Sequence, residues 1–147
     1  MPSLRVLVLH NQTAGDEDHS AEEIGTAIRR AGHEFAYRSI KDADWEQALD
    51  EPADLIAIAG GDGTVAEVLL RAAGSAHAAT ILPLGSANNI ARTLGLADRE
   101  LGDLIAGWED APRGRYRLGR VQRAGRESLF AEAFGGGLFA ASLVRAA

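Results

Sequence analysis

The chain has no cysteine. That excludes a disulfide framework, a cysteine-based zinc site and a thiol nucleophile. Lysine is nearly absent too: Lys41 is the only one, and every other basic side chain is arginine. Long apolar runs are missing, and none approaches the ~18 residues of a membrane-spanning helix. The apolar run nearest the start, Val6 to Leu9, is too short for a secretory core and has no small-residue cleavage site after it. These absences point to a soluble, cytoplasmic protein. The chain is not short of apolar residues as such. They make up 46% of its 147 residues against 24% charged, the balance of a globular protein. Glycine is abundant at 17 residues, and the glycines cluster in turns between apolar runs.

The net charge of −6 is unevenly placed. Residues 1–112 carry 8 basic and 19 acidic side chains, net −11, and residues 113–147 carry 7 and 2, net +5. An acidic body argues against nucleic acid as a partner. The basic block holds Arg113, Arg115, Arg117, Arg120, Arg123 and Arg126. It could meet a phosphate or an anionic membrane surface. A hairpin with solvated arginines on its outer face is the plainer reading and the one favoured here.

The order of patterns predicts the fold. Arg5–His10 and Asp54–Ala59 are short continuous apolar runs, typical of strands buried on both faces. Glu34–Ile40 and Thr80–Pro83 complete a set of four strands. Ser20 with Glu23 three residues on spells a capping box, followed by an apolar stripe of Ile24, Ala27, Ile28 and Ala31 that ends at Gly32. Further helices are expected over Asp44–Leu49, Val65–Ala73 and Ile90–Leu94, and from a cap at Asp98 to Trp108. Strand–loop–helix repeats of this kind need right-handed crossovers. The expectation for residues 1–112 is a doubly wound α/β domain with a mostly parallel sheet and helices on both faces. After Pro112, strand-like Tyr116–Gln122 and Ser128–Phe134 flank a glycine-containing turn, a hairpin signal. Residues 113–147 thus read as the beginning of a β-rich second domain, cut short.

Three polar loops follow strands: Asn11–Gly15, Gly60–Thr64 and Gly85–Asn89. In a doubly wound sheet all three share the carboxyl edge, where ligands bind. Gly60-Gly-Asp-Gly-Thr64 joins a buried strand to a helix. Its glycines let backbone approach a ligand, and the helix start offers unpaired N–H groups and the positive end of a dipole. That is an anion site, most naturally for phosphate. Asp62 needs a separate reason, since a carboxylate repels phosphate. It could bind Mg²⁺, directly or through water, or orient a hydroxyl. Thr64 could cap the helix or donate to phosphate. A tight turn with an ordinary cap would use the same residues. No Walker Gly-Lys-Ser/Thr, no Gly-x-Gly-x-x-Gly and no Gly-x-Ser-x-Gly elbow is present. The four histidines, His10, His19, His33 and His77, lack metal-ligand spacing.

The combination is more specific than its parts. Gly60–Thr64 with Glu67 three residues on is followed by Leu82-Pro-Leu-Gly-Ser-Ala-Asn-Asn-Ile-Ala-Arg-Thr-Leu-Gly95. This resembles the catalytic domain of the diacylglycerol kinase family, which includes bacterial lipid kinases and sphingosine kinases, from the first strand to about Gly137. The resemblance implies the ATP-binding half of a lipid kinase, which passes the ATP γ-phosphate to a lipid hydroxyl with Mg²⁺. By similarity Asn11, Thr13, Ala14 and Gly15 lie near the nucleotide, as does Ser39 at the end of the second strand. Gly60, Gly61, Asp62, Gly63, Thr64, Val65, Ala66 and Glu67 hold the phosphates, with Asp62 catalytic and linked to Mg²⁺. Gly85, Ser86 and Asn88 match the family's second stretch.

There are departures. The first loop, Asn11-Gln-Thr-Ala-Gly15, lacks the family's usual Pro, Asn89 stands where many members have Asp, and Arg117 replaces a usual Asp. Full members carry a β-rich second domain that supplies the catalytic base in a Gly-Asp-Gly-Glu-like motif, and none follows Phe134 here. The expectation is weak nucleotide binding and little lipid kinase activity by this chain alone. The apolar set Leu129, Phe130, Phe134, Leu138, Phe139, Leu143 and Val144 suggests a homodimer through residues 113–147, or a hairpin folded back on its own sheet. A lipid acceptor would place the protein at the inner membrane surface. Two other readings stand beside the lipid kinase: a non-catalytic nucleotide-binding module, and an NAD kinase or phosphofructokinase-like small-molecule kinase.

Overall fold

The structure is a computed structural model that describes residues 3–14 and 19–132. Four parallel strands form one sheet: β1 (Arg5–His10), β2 (Glu34–Ser39), β3 (Leu55–Gly60) and β4 (Ala78–Pro83), in the order β2-β1-β3-β4. Helix α1 (Ala21–Arg30) joins β1 to β2, and α2 (Asp62–Arg71) joins β3 to β4. Helices α3 (Asn89–Thr93) and α4 (Leu101–Ala106) follow, and a 3₁₀ helix (Trp45–Asp50) lies between β2 and β3. The doubly wound α/β fold expected from the sequence is present. A separate antiparallel hairpin, β5 (Gly119–Arg123) and β6 (Arg126–Phe130), completes it.

Two apolar layers explain the continuous strand runs. Successive side chains on a strand point to opposite faces. Leu7 and Leu9 of β1 therefore join Ile56 and Ile58 of β3 on one face, packed with Val65 and Val68 of α2 and Ile90 of α3. Val6 and Val8 join Leu55, Ala57 and Ala59 on the other, packed with Ile24 and Ile28 of α1 and Leu104 and Ile105 of α4. From β1 the chain moves outward to β2, then jumps back across β1 to β3 and continues to β4. Right-handed crossovers running in opposite directions place their helices on opposite faces. The winding reverses between β1 and β3.

Local signals account for α1 in full. The Ser20 hydroxyl accepts from the Glu23 amide at 3.2 Å, and the Glu23 carboxylate accepts from the Ser20 amide at 2.7 Å. At the other end Gly32 has φ +87°, with Gly32 N donating to Arg29 O and His33 N to Ile28 O. That is a Schellman ending, and the left-handed residue it needs is glycine.

Several boundaries differ from the sequence reading. Helix α2 begins at Asp62 rather than Val65, with Gly61 as its extended cap residue. The Asp62-Gly-Thr64 stretch is thus the first helical turn, not a loop. Asp98 does not cap α4; Glu100 occupies that position, and Asp98 pairs with Arg92 at 3.6 Å. Asp44 precedes a 3₁₀ helix without a side-chain cap bond. In the hairpin, residues 113–118 are not strand, so β5 starts at Gly119, where the Phe130 ring of the opposing residue packs over the glycine. The tail residues Phe134, Leu138, Phe139, Leu143 and Val144, part of the segment on which a homodimer was expected, lie outside the described residues.

Candidate functional site

Parallel strands put β1, β3 and β4 carboxyl ends at one edge, and the loops after them meet there. The winding reverses between β1 and β3, and the carboxyl edge there is the crevice position at which open α/β sheets usually hold a ligand. Asn11 spans it: its amide donates to Ala59 O at 2.9 Å, and its side-chain Nδ2 donates to Thr64 Oγ1 at 3.0 Å. Asn11 Oδ1 accepts from both N and Oγ of Thr13, at 3.2 and 2.9 Å, which shapes the first loop as an Asx turn. Ala14 N closes the same turn on Asn11 O at 3.1 Å. Gly15 lies outside the described residues.

The two glycine loops touch backbone to backbone. A side chain at Gly85 would overlap Gly61 Cα and come within 2.9 Å of Asn88 Oδ1. A side chain at Gly60 would strike the Thr64 side chain at 2.8 Å. Leu84 N donates to Gly60 O at 3.1 Å and extends the β3–β4 ladder into the crevice. Asn88 folds its loop back on itself, with Oδ1 accepting from Gly85 N at 2.9 Å and Nδ2 donating to Gly85 O at 2.6 Å. Its φ of +52° is a left-handed conformation that asparagine tolerates. That turn aims the first amides of α3 at α2, where Asp62 Oδ2 accepts from Asn89 N and Asp62 Oδ1 from Ile90 N, both at 2.9 Å.

The start of α2 is the electropositive part of this edge. Val65 N is the first amide of the helix to find a carbonyl, Gly61 O at 3.0 Å. The amides of Asp62, Gly63 and Thr64 have no acceptor among the described residues. Three unpaired N–H groups at a helix start suit an anion. Gly63 is exposed with open space around it, whereas Thr64 is buried.

The residues singled out from sequence fall into three groups. Asn11, Thr13, Ala14, Gly60, Gly61, Asp62, Gly63, Thr64, Gly85 and Asn88 gather at the crevice, and Ser86 is exposed on the same loop. Ser39 ends β2 beside His10, one strand out, with its hydroxyl accepting from Lys41 N at 3.2 Å. Val65 is buried in the core and its amide is already paired. Ala66 and Glu67 continue α2, Glu67 exposed.

Sequence reasoning missed two neighbours. His10, the last residue of β1, is buried, and its Nδ1 lies 2.9 Å from the Tyr37 hydroxyl, which also accepts from Gln12 Nε2 at 2.9 Å. Burial lowers the His10 pKa and raises that of Tyr37. Only the strand order puts these residues together. Tyr116 is the second. Its hydroxyl donates to Ala131 O, and burial first, then the charges of Glu132 and Asp62, raise its pKa. The segment before the hairpin therefore runs within electrostatic reach of the glycine turn.

Residues 5–120 match the Diacylglycerol kinase catalytic domain family. The chain belongs to that family. It is 44% identical over 100 residues to a "Probable lipid kinase YegS-like" protein of Pseudomonas aeruginosa, covering 62% of this chain and 32% of that one. It is 31% identical over 109 residues to a "Diacylglycerol kinase" of Staphylococcus aureus, covering 68% and 35%. A crystal structure of a putative diacylglycerol kinase from Bacillus anthracis shares the fold with a TM-score of 0.59 at 20% identity, over 86% of this chain and 49% of that one. The chain thus spans about a third of the length of the curated relatives it matches. The matched region includes both glycine loops and all four strands of the parallel sheet. No helix among the described residues is long and apolar enough to cross a membrane.

Proposed function

We propose that this family member binds ATP at the carboxyl edge of its sheet and forms the nucleotide-binding part of a lipid kinase. The acceptor in this reading is a lipid hydroxyl of the diacylglycerol type. The observation that carries it is the three unpaired amides at the start of α2, walled by the Asn11 loop on one side and Gly85 on the other. Fixed N–H dipoles directed at a terminal phosphate bind charge without reorganising, which is how phosphoryl-transfer sites gain most of their effect. Thr64 Oγ1, held by Asn11, is a further polar contact beside them. Ser39, Asn11, Thr13 and Ala14 line the same edge toward β2 and are assigned to the rest of the nucleotide.

Magnesium normally accompanies the triphosphate and offsets its charge. Among the described residues there is no metal site built from protein side chains alone. Both oxygens of Asp62 already accept from backbone amides, and no three His, Cys, Asp or Glu among the described residues are placed to share an ion. The roles of the chain's own groups are therefore to grip the phosphates, to orient the nucleotide, and to keep the two glycine loops in register.

Calorimetric titration of the chain with ATP tests the reading, followed by transfer of labelled γ-phosphate to diacylglycerol in mixed micelles. Saturable binding of ATP with one site per chain is the expected result. No binding at millimolar ATP removes the proposal. Binding without transfer to any lipid favours a nucleotide-binding module, and transfer to NAD or a sugar phosphate favours a small-molecule kinase.

A further inference from the structure

A carboxylate in the first turn of a phosphate-binding helix poses a problem, because its charge opposes the ligand. The usual solution is a metal ion between the two. The geometry points to another. We infer that Asp62 is a positioning residue, whose carboxylate clamps the Gly85–Asn89 loop and the start of α3 onto the glycine turn independently of any metal.

Four observations converge. The two oxygens of Asp62 each take one amide, Asn89 N and Ile90 N, at 2.9 Å. These are the first two amides of α3, which have no acceptor within their own helix. Asp62 thus serves α3 as a cap although it lies 27 residues away in sequence. The cap position itself, Asn88, offers no side-chain bond to the helix, since its amide is spent on Gly85. Finally, Gly61 and Gly85 are in backbone contact, so any loosening of one loop moves the other. A carboxylate also does this better than a neutral side chain, because bonds from N–H to an ionised oxygen are the stronger kind.

The clamp has a consequence for the ligand. The Asp62 charge is met by the start of α3, which leaves the unpaired amides of Asp62, Gly63 and Thr64 at the start of α2 for an anion. In this respect the inference deepens the nucleotide reading and rests on it. The clamp itself exists without nucleotide.

The experiment has two arms. In the first, amide hydrogen exchange is followed by NMR on the wild-type chain in EDTA, with no nucleotide. Asn89 and Ile90 should exchange slowly although they open a short helix, and Asp62→Asn should release at least one of them. Fast exchange of both in the wild type overturns the inference, whatever the variants do. In the second arm, ATP affinity is measured for wild type, Asp62→Asn and Asp62→Ala, each in EDTA and in Mg²⁺. A positioning role predicts a loss of about tenfold or more, graded with Asn milder than Ala and equal in EDTA and Mg²⁺. A loss confined to Mg²⁺ identifies a cation ligand and overturns the inference. A change in melting temperature with unaltered affinity of the folded protein reduces Asp62 to a purely structural cap and overturns it equally. Failure of the wild type to bind ATP overturns the nucleotide reading instead, and the exchange arm then decides the clamp alone.

Discussion

Two glycines at the crevice make opposite predictions. Gly85 is packed against backbone: a Cβ there would overlap Gly61 Cα, lie 2.9 Å from Asn88 Oδ1 and 3.1 Å from Gly61 N. Backbone atoms at the ends of β3 and β4 cannot yield as a flexible side chain would. Gly85→Ala must push the second loop off the glycine turn and stretch the bonds that Asp62 and Leu84 make across it. Overpacking of this kind costs about 1–3 kcal/mol. With a urea slope of about 2 kcal/mol/M, the midpoint falls by about 0.5–1.5 M. Gly63 is the control in the same turn. It has open space around it and no left-handed φ, and it sits inside the first turn of α2. Gly63→Ala is expected to be neutral or to stabilise by up to about 1 kcal/mol, since glycine is the poorer helix former. The assay is urea unfolding of both variants beside the wild type. Equal midpoints for the two variants, or a stable Gly85→Ala, refute the claim that the loops are locked by backbone contact.

Two more predictions concern the hairpin and His10. Ala124 and Gly125 form a two-residue turn with φ +50° and +74°, the geometry that favours Asn-Gly. Ala124→Asn should therefore slow amide exchange at Val121 and Ser128 and stabilise the hairpin by about 1 kcal/mol, part of the cost of a left-handed alanine; unchanged exchange counts against that turn type. Burial lowers the folded-state pKa of His10 from 6.5, so below that pH the unfolded chain binds the extra proton. Stability should rise with pH through the window just under 6.5 and fall as the solution is acidified through it. In His10→Gln, which can still meet the Tyr37 hydroxyl, the fall between pH 7.5 and 5.5 should shrink. An identical slope in wild type and variant would show that His10 is not the group responsible.

Much of this fold was readable because its signals are local. Ser20, Glu23 and Gly32 define α1 without help from the rest of the chain, and the structure realises each of their bonds. The apolar runs of β1 and β3 can only be strands covered on both sides, and both sides are covered. What was not readable depends on distance in sequence. Helix α2 begins three residues early because Gly61 adopts the extended cap conformation, which glycine permits but does not announce. Asp98 looked like a cap because aspartate before an apolar stretch often is one; here its carboxylate instead meets Arg92, on the preceding helix. The His10–Tyr37 contact needs β2 beside β1 in a known register, and pattern alone gives neither.

Asp62 shows why the same limit applies to function. From sequence it is a carboxylate among glycines at an anion site, and the only partners one can imagine for it are ligands: a metal ion or a hydroxyl. The order of strands supplies a partner from within the chain. Because β4 lies next to β3, the loop after β4 must fall against the start of α2, and with Asn88 left-handed its next two amides face Asp62. Two helix starts converge on this crevice, and the carboxylate uses up one of them. An anion entering the site is left with the other, beside a carboxylate whose charge already has two donors. In the reading proposed above, the charge of the acid at position 62 is thus already held by two amides beside the phosphate position, and its contribution lies in fixing where the walls of the site stand.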